Sequence, residues 1–335
     1  MGFQLSPGIN TSEIDLTTVV PSVLTTAGAF AGTFRWGPAN QVVLVDSEIT
    51  LSKTFGTPDN NTAVSFFTSA NFLAYGNNLS VVRAINSASK NASANTSAST
   101  QVQNGVAFEY SYLGQNNSNA YGPFIARYPG ALGNSLSVTI IDTGNTARSD
   151  LFTSAPGTSD YVSNRGGAND EIHIAVVDAG GLFTGTKNTV LETYPFVSKA
   201  VDAIKLNDGT SNYYKQVIFN NSKYIYAIDP ADYANTSSTW GTNSSNTTFG
   251  QMNTKMVTYS LSGGSDAAIS DANTITGFSQ FISKETYDIS LVLTGNGSTT
   301  VQQYVIDNIA GGSATATANA RTDCVAFVSP PQSAV

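Results

Sequence analysis

The sequence predicts a mixed α/β and α+β fold with more than one domain. Its 335 residues are enough for about two domains. Residues 269–328 alternate between helical and strand patterns, which predicts an α/β unit with parallel strands. Residues 121–259 are richer in strand patterns and contain one candidate helix. Residues 1–22 are punctuated by proline and threonine without a helical period, so we expect an extended arm.

The stretch from 23 to 85 carries a compact pattern of elements. An apolar segment ends at Gly37-Pro38, which is a turn signal. Residues 42–45 are typical of a short buried strand. Apolar residues recur at helical spacing over 62–75, with Gly76 placed to end the helix. Residues 79–85 are apolar and β-branched, which predicts a second strand.

The remaining elements follow from the same two periodicities. Ser87 to Gln103 is nearly low in complexity and predicts a surface loop or an eroded insertion. Further strands are predicted at 136–141, 171–177, 188–194, 223–228, 289–293 and 323–328, and further helices at 212–220, 269–282 and 301–309.

Composition restricts the partners. Hydrophobic residues make up 41% of the chain, which is enough for packed cores. Charged residues make up only 11%, against about 25% in an average soluble protein, and this suits either closely packed neighbours or a bias of the lineage. The net charge is −8 and no basic cluster occurs, so we expect no nucleic-acid partner. No apolar run reaches about 18 residues, so we expect no membrane anchor.

The residues that carry chemistry are too few for a catalytic site. The chain has one histidine, His173, expected on a strand at a surface or an interface, and one cysteine, Cys324, expected in the core. The Gly-rich turn 293–299 lies between a strand and a helix, but Thr300 stands where a dinucleotide fingerprint needs a third glycine. Asp170 and Glu171 are adjacent on a strand and face opposite sides. We therefore predict no enzyme activity and no catalytic, cofactor-binding or metal-binding residues.

Several phrases of the sequence follow one another in the order found in a known family. They are Leu5-Ser6-Pro7-Gly8-Ile9, Gly32-Thr33-Phe34-Arg35-Trp36-Gly37-Pro38-Ala39, Phe72-Leu73-Ala74-Tyr75-Gly76, Val81-Val82-Arg83-Ala84, Tyr128-Pro129-Gly130-Ala131-Leu132-Gly133-Asn134, Leu261-Ser262-Gly263-Gly264 and Arg321-Thr322-Asp323-Cys324-Val325. In this order the chain resembles the N-terminal part of contractile phage tail sheath proteins of the myovirus type.

The resemblance implies a domain plan. Residues 23–85 and 260–335 would form a discontinuous conserved α/β core domain, incomplete at its C-terminal end. Residues 86–259 would form an inserted, outward-facing β-rich domain. The extended N-terminal arm, 1–22, would exchange a strand with a neighbouring subunit.

The resemblance also implies a function. The subunits would stack as six-membered rings in a helical assembly around a tail tube and contract to drive the tube through the host envelope. The implied partners are other copies of the chain, the tail tube protein, and the baseplate and tail terminator proteins. The implied place is the tail of the virion, after assembly in the host cytoplasm. The alternatives are the sheath of a bacterial contractile injection or secretion device, a β-rich surface or adhesin module, and a nucleotide-binding enzyme.

Overall fold

The structure is a computed structural model that describes residues 26–95, 100–113, 121–146, 148–228, 239–311 and 320–329. The predicted arm, 1–22, lies outside the described residues. Within the described part of the chain, eleven strands and seven α-helices form a mixed α/β fold with several sheets.

The elements have the following bounds. The strands are β1 (Gly28–Gly32), β2 (Val42–Val45), β3 (Leu79–Arg83), β4 (Phe124–Ala126), β5 (Leu136–Asp142), β6 (Glu171–Asp178), β7 (Thr189–Ser198), β8 (Ile225–Ala227), β9 (Met256–Ser260), β10 (Leu291–Leu293) and β11 (Val325–Phe327). The helices are α1 (Glu48–Phe55), α2 (Ala63–Leu73), α3 (Gly105–Ser111), α4 (Asp160–Ser163), α5 (Tyr214–Asn221), α6 (Asp271–Ser279) and α7 (Thr299–Asn308). A 3-10 helix spans Ala131–Ser135.

One sheet joins strands from the two ends of the described chain. Its order is β11-β10-β1-β3-β2, and all neighbours are parallel except the pair β2 and β3. Gly28 of β1 lies opposite Leu79 of β3 on one side and Leu291 of β10 on the other. The parallel pairing of β10 with β11 confirms the α/β unit predicted near residues 269–328. The domain boundaries at residues 22, 85 and 259 stay predictions.

Helices cover both faces of this five-stranded sheet. Successive side chains of a strand point to opposite faces, and β1 follows this rule. Phe30 packs with Leu51 of α1 and Phe66 of α2 in one apolar cluster. Ala29 and Ala31 belong to a second cluster, which includes residues of α6 and α7. The sheet is therefore the central layer of three, as buried parallel strands require.

A second, four-stranded sheet is wholly antiparallel, in the order β7-β6-β5-β9. Strands β4 and β8 form a separate two-stranded ribbon. The four-stranded sheet and the ribbon share an apolar cluster, which also contains Trp36 from the turn after β1. This sharing ties the region of the five-stranded sheet to the region of the four-stranded sheet.

Two predictions about burial are wrong. Strand β2 is an edge strand rather than a buried one, and Leu44 in it is 64% exposed. The described parts of Ser87–Gln103 are buried or half-buried except for Ser87 and Ala88, so they do not form a surface loop. Asn91 is the clearest case, because its side-chain amide donates to the Val102 and Ala126 carbonyls and its side-chain oxygen accepts from the Val102 amide.

A membrane-spanning helix and a metal-binding cluster are both absent from the described residues. No helix there combines the length and the apolar character needed to span a bilayer. No group of three or more His, Cys, Asp and Glu residues is arranged there to hold a metal ion.

Candidate functional site

Arg83 is a buried cation at the end of β3, where the five-stranded sheet meets the rest of the molecule. It is 2% exposed. Its Nε donates to the Phe34 carbonyl at 2.9 Å, its Nη1 to the Gly37 carbonyl at 3.0 Å and its Nη2 to the Pro129 carbonyl at 2.8 Å. A guanidinium suits this position because its donors are fixed in one plane and diverge. We call Arg83 and the carbonyls that it binds the arginine junction.

The turn after β1 supplies two of these carbonyls. Gly37 has a φ of +98°, and a Cβ atom there would lie 2.8 Å from both the Thr54 carbonyl and the Phe55 ring, so only glycine fits without displacement. The neighbouring Trp36 packs edge-on against the rings of Tyr128 and Phe183, with centroids 5.3 and 5.0 Å away. The turn therefore places its backbone on Arg83 and its largest side chain in the core of the antiparallel region.

The loop at Pro129 is held by a second, equally specific contact. The side-chain amide of Asn134 donates to the Gly264 carbonyl, and the Gly264 amide donates to the side-chain oxygen of Asn134, both at 2.8 Å. A Cβ atom on Gly264 would lie 2.6 Å from the Gly130 carbonyl, so the two loops approach at a distance that requires glycine. These contacts join residues that follow β9 to residues that precede β5.

The electrostatics of the junction suit a structural role. Burial lowers the pKa of Arg83 to about 10, so the side chain stays charged at neutral pH. Asp266 is 3.9 Å from Arg83 Nη2 and accepts from the Ala131 amide. A cavity of about 470 Å³ lies beside the junction and is also lined by Arg35 and Asp59, which form an ion pair at 3.3 Å. Arg83 and Arg35, the two cations that line this cavity, both have partners. Among the residues that line the cavity, no arrangement activates a nucleophile.

His173 is buried, and the prediction that it lies at a surface or an interface is wrong for this chain. It is 1% exposed because Phe152 stacks on one face of its ring and the edge of Phe196 packs against it. Its Nδ1 accepts from the Phe196 amide at 3.0 Å, so its Nε2 carries the proton and donates to the Ser154 carbonyl at 2.9 Å. Burial lowers its pKa below the ordinary value. The ring therefore links β6 to β7 and to the segment before α4 through buried hydrogen bonds.

Cys324, the Gly-rich turn and Asp178 each contribute to packing, to a connection between elements or to a turn. Cys324 is buried, as predicted. The Gly-rich turn does connect a strand, β10, to a helix, α7, whose N-cap is Ser298. Asp178 ends β6 and accepts from the backbone amides of residues 181–184, which is the behaviour of a turn-forming acid. The prediction that the chain has no catalytic, cofactor-binding or metal-binding residues stays a prediction.

The arginine junction was not predicted from the sequence, although it is built from segments that resemble the sheath family. The segments 32–39, 81–84, 128–134 and 261–264 all meet around Arg83. The available signal was a charged residue inside the mostly apolar segment 79–85, which was predicted as a strand, since an unpaired charge is rarely buried.

Comparison with known proteins finds relatives that share part or most of this sequence. The family model described as "Tail sheath protein Gp18 domain III N-terminal region" matches residues 25–84, which contain β1, β2, β3 and Arg83. The tail sheath protein of Vibrio phage KVP40 is 26% identical over 440 aligned residues, which cover 99% of this chain and 63% of the relative. The tail sheath protein of Enterobacteria phage T4 is 47% identical over 81 residues, 24% of this chain and 12% of that protein.

A solved structure was also compared. The sheath tail protein of Listeria innocua superposes with a TM-score of 0.42 and 13% identity, covering 85% of this chain and 44% of that one.

The matched domain and the curated relatives define a class, the structural proteins of contractile phage tails. Within this class the chain is similar to contractile phage tail sheath proteins, to the family model over residues 25–84 and to one relative along nearly its whole length. It spans 63% of the length of the KVP40 relative.

Proposed function

We propose that this chain is a structural subunit of a contractile phage tail, which assembles with copies of itself into a sheath. The observation that carries the proposal is the similarity to a tail sheath protein along 99% of the chain. The subunits stack as six-membered rings around a tail tube, and contraction of the stack drives the tube through the host envelope. The subunit is assembled in the host cytoplasm, contacts the tube, baseplate and terminator proteins, and has no catalytic role.

The arginine junction supports a subunit that moves as a rigid body. A sheath that contracts must change the contacts between subunits while each subunit keeps its internal packing. Arg83 links the five-stranded sheet to the loop at Pro129, and Trp36 fills the core of the antiparallel region. Both contacts resist a hinge between the two sheets.

The edges of the five-stranded sheet support attachment between subunits. Strands β2 and β11 form these edges in the described residues. On β11, Val325 is 60% and Phe327 is 54% exposed. An exposed apolar edge accepts a strand from another chain, because unpaired backbone groups are completed by main-chain hydrogen bonds. In our proposal, the arm of a neighbouring subunit, 1–22, adds such a strand and holds the sheath together during contraction.

Removal of the arm tests this proposal. We expect deletion of residues 1–22 from the full-length protein to abolish sheath polymers in negative-stain electron microscopy. Circular dichroism should show that the variant remains folded. Sheaths of normal length and diameter from the deletion variant would contradict the role of the arm.

A further inference from the structure

A lysine and an aspartate are buried together at one end of the four-stranded sheet. Asp142 is the last residue of β5, and Lys199 directly follows β7. These two strands flank β6 and run antiparallel to it, so both residues emerge at the same end of the sheet. Lys199 Nζ lies 2.5 Å from Asp142 Oδ1, and both side chains are 0% exposed.

The amine is held in a defined orientation. Lys199 Nζ is 2.9 Å from the Asn169 carbonyl and 3.2 Å from the Gly250 carbonyl. The Trp240 ring covers it, with its centroid 4.9 Å away. If Lys199 loses one proton, the two carbonyls bind the two remaining N–H groups. The nitrogen lone pair then occupies the fourth direction, which faces the Asp142 carboxyl group.

The carboxyl group is held equally firmly. Its Oδ1 accepts from the Thr143 amide at 2.7 Å, and its Oδ2 accepts from the Met252 amide. Fixed backbone donors of this kind stabilise negative charge that develops on a carboxyl oxygen during attack at its carbon. The pair therefore consists of a nucleophile and an acyl carbon, each held by hydrogen bonds to the backbone.

The dry environment favours the neutral form of the amine. Burial penalises charged forms, and it lowers the pKa of Lys199 even though the neighbouring Asp142 and Asp170 oppose this effect. Transfer of one proton from Nζ to Oδ1 turns the ion pair into a neutral amine beside a neutral carboxylic acid. Reactants that are held in a well-oriented geometry reach effective concentrations of up to about 10⁵–10⁸ M.

We propose that Lys199 and Asp142 condense into an intramolecular isopeptide bond. Nζ attacks Cγ of Asp142 and forms a tetrahedral intermediate whose Oδ2 is bound by the Met252 amide. The second proton of the attacking nitrogen passes to Oδ1, the Cγ–Oδ1 bond breaks, and one water molecule leaves. An ammonium and a carboxylate are replaced by one amide and one water, so atoms and charge balance without an oxidant or any other reactant.

The bond has a mechanical consequence. It ties the end of β5 to the end of β7 across β6, so the three strands cannot be pulled apart at that end without breaking a covalent bond. This suits a domain that carries load. The proposal rests on the geometry of this site alone and is independent of the proposed function.

Mass spectrometry of the denatured full chain tests the proposal directly. We expect the mature protein to be lighter than its sequence mass by one water molecule. Tryptic digestion should yield a branched peptide that joins the segment with Asp142 to the segment with Lys199, with no cleavage after Lys199. A mass equal to the sequence mass, with both residues recovered in unmodified linear peptides, would overturn the proposal.

Three variants serve as controls. Lys199→Arg keeps the positive charge but cannot form the amide, so it should show the full sequence mass. Asp142→Asn should form the same amide with loss of ammonia, so its mature mass should equal that of the wild type. Lys255→Arg changes a nearby lysine outside the pair and should retain the loss of water; loss of water that persists in Lys199→Arg would overturn the assignment.

Discussion

At the scale of single residues, one guanidinium joins segments that are far apart in the chain. Arg83 binds the backbone of the turn at 34–37 and of the loop at Pro129, and these contacts are buried. Removal of Arg83 leaves three buried carbonyls without their donor. Each such buried group costs about 1–3 kcal/mol.

We therefore predict that Arg83→Met lowers the free energy of unfolding by about 3–5 kcal/mol. Arg83→Lys should restore only part of this, because an ammonium cannot reproduce the planar fork. Arg148→Met is the matched control: Arg148 pairs with Asp150 at a more exposed site, so its loss should cost less than about 1 kcal/mol. Urea denaturation measures all three, and equal losses for Arg83→Met and Arg148→Met would contradict the role of the junction.

His173 predicts how stability depends on pH. Its pKa is lowered below 6.5 by burial, so the unfolded chain takes up a proton as the pH falls through 6.5 and the folded chain does not. Stability should thus be constant with respect to His173 above that pH and decrease below it. Protonation of Nδ1 in the folded state would set a donor against the Phe196 amide.

The variant His173→Gln isolates this effect. It should be less stable than the wild type at neutral pH, yet its stability should decrease less between pH 6.5 and about pH 5. Urea midpoints measured across this range give the dependence of stability on pH for both proteins. Subtracting the slope of the variant from that of the wild type removes the contribution of carboxylates such as Glu171, which both proteins share. Identical slopes in the two proteins would show that His173 does not carry the pH dependence.

At the scale of elements, helix α7 offers a test of the cap that connects it to α6. Ser298 Oγ accepts from the Val301 amide and donates to Asp271 in the first turn of α6 at 2.7 Å. We expect Ser298→Ala to cost about 1 kcal/mol of stability. Thr276→Ala, at an exposed position within α6, should change stability by less than about 0.5 kcal/mol. Thermal and urea unfolding measure both variants. Equal losses of stability would show that the Ser298 cap does not stabilise the protein.

The periodicity of the sequence predicts most of the elements but not all of them. Helix α2 lies at Ala63–Leu73, within the predicted 62–75, because its apolar residues recur at a clear helical spacing. Helix α1 was missed because Leu51 and Phe55 are its only buried residues and its other positions are polar or exposed. Its cap was a usable signal, since Ser47 accepts from the Thr50 amide.

Composition gave a wrong prediction of burial where hydrogen bonds replace apolar contacts. The stretch Ser87–Gln103 is rich in small polar residues, which is typical of a loop. In the structure Asn91 is 2% exposed, and its side chain satisfies the backbone of Val102 and Ala126. No local pattern reveals such a match, because the partners are far apart in the sequence.

At the scale of the whole molecule, the long-range pairing of strands lies beyond periodicity. Residues 28–30 pair with residues 291–293, and no pattern within either segment indicates the other. Only the resemblance to sheath proteins suggested that both ends of the chain contribute to one core. Likewise, the arginine junction depends on the meeting of one strand end with several turns, and none of these segments indicates the others by its own sequence.

The proposed function requires that the subunit assemble with copies of itself. Negative-stain electron microscopy of the purified full-length protein tests it most directly, because a sheath subunit forms helical tubes or stacks of rings on its own or around a tube protein. We expect such polymers, built from rings with six subunits. Only dispersed monomers, both alone and with the tube protein, would contradict it.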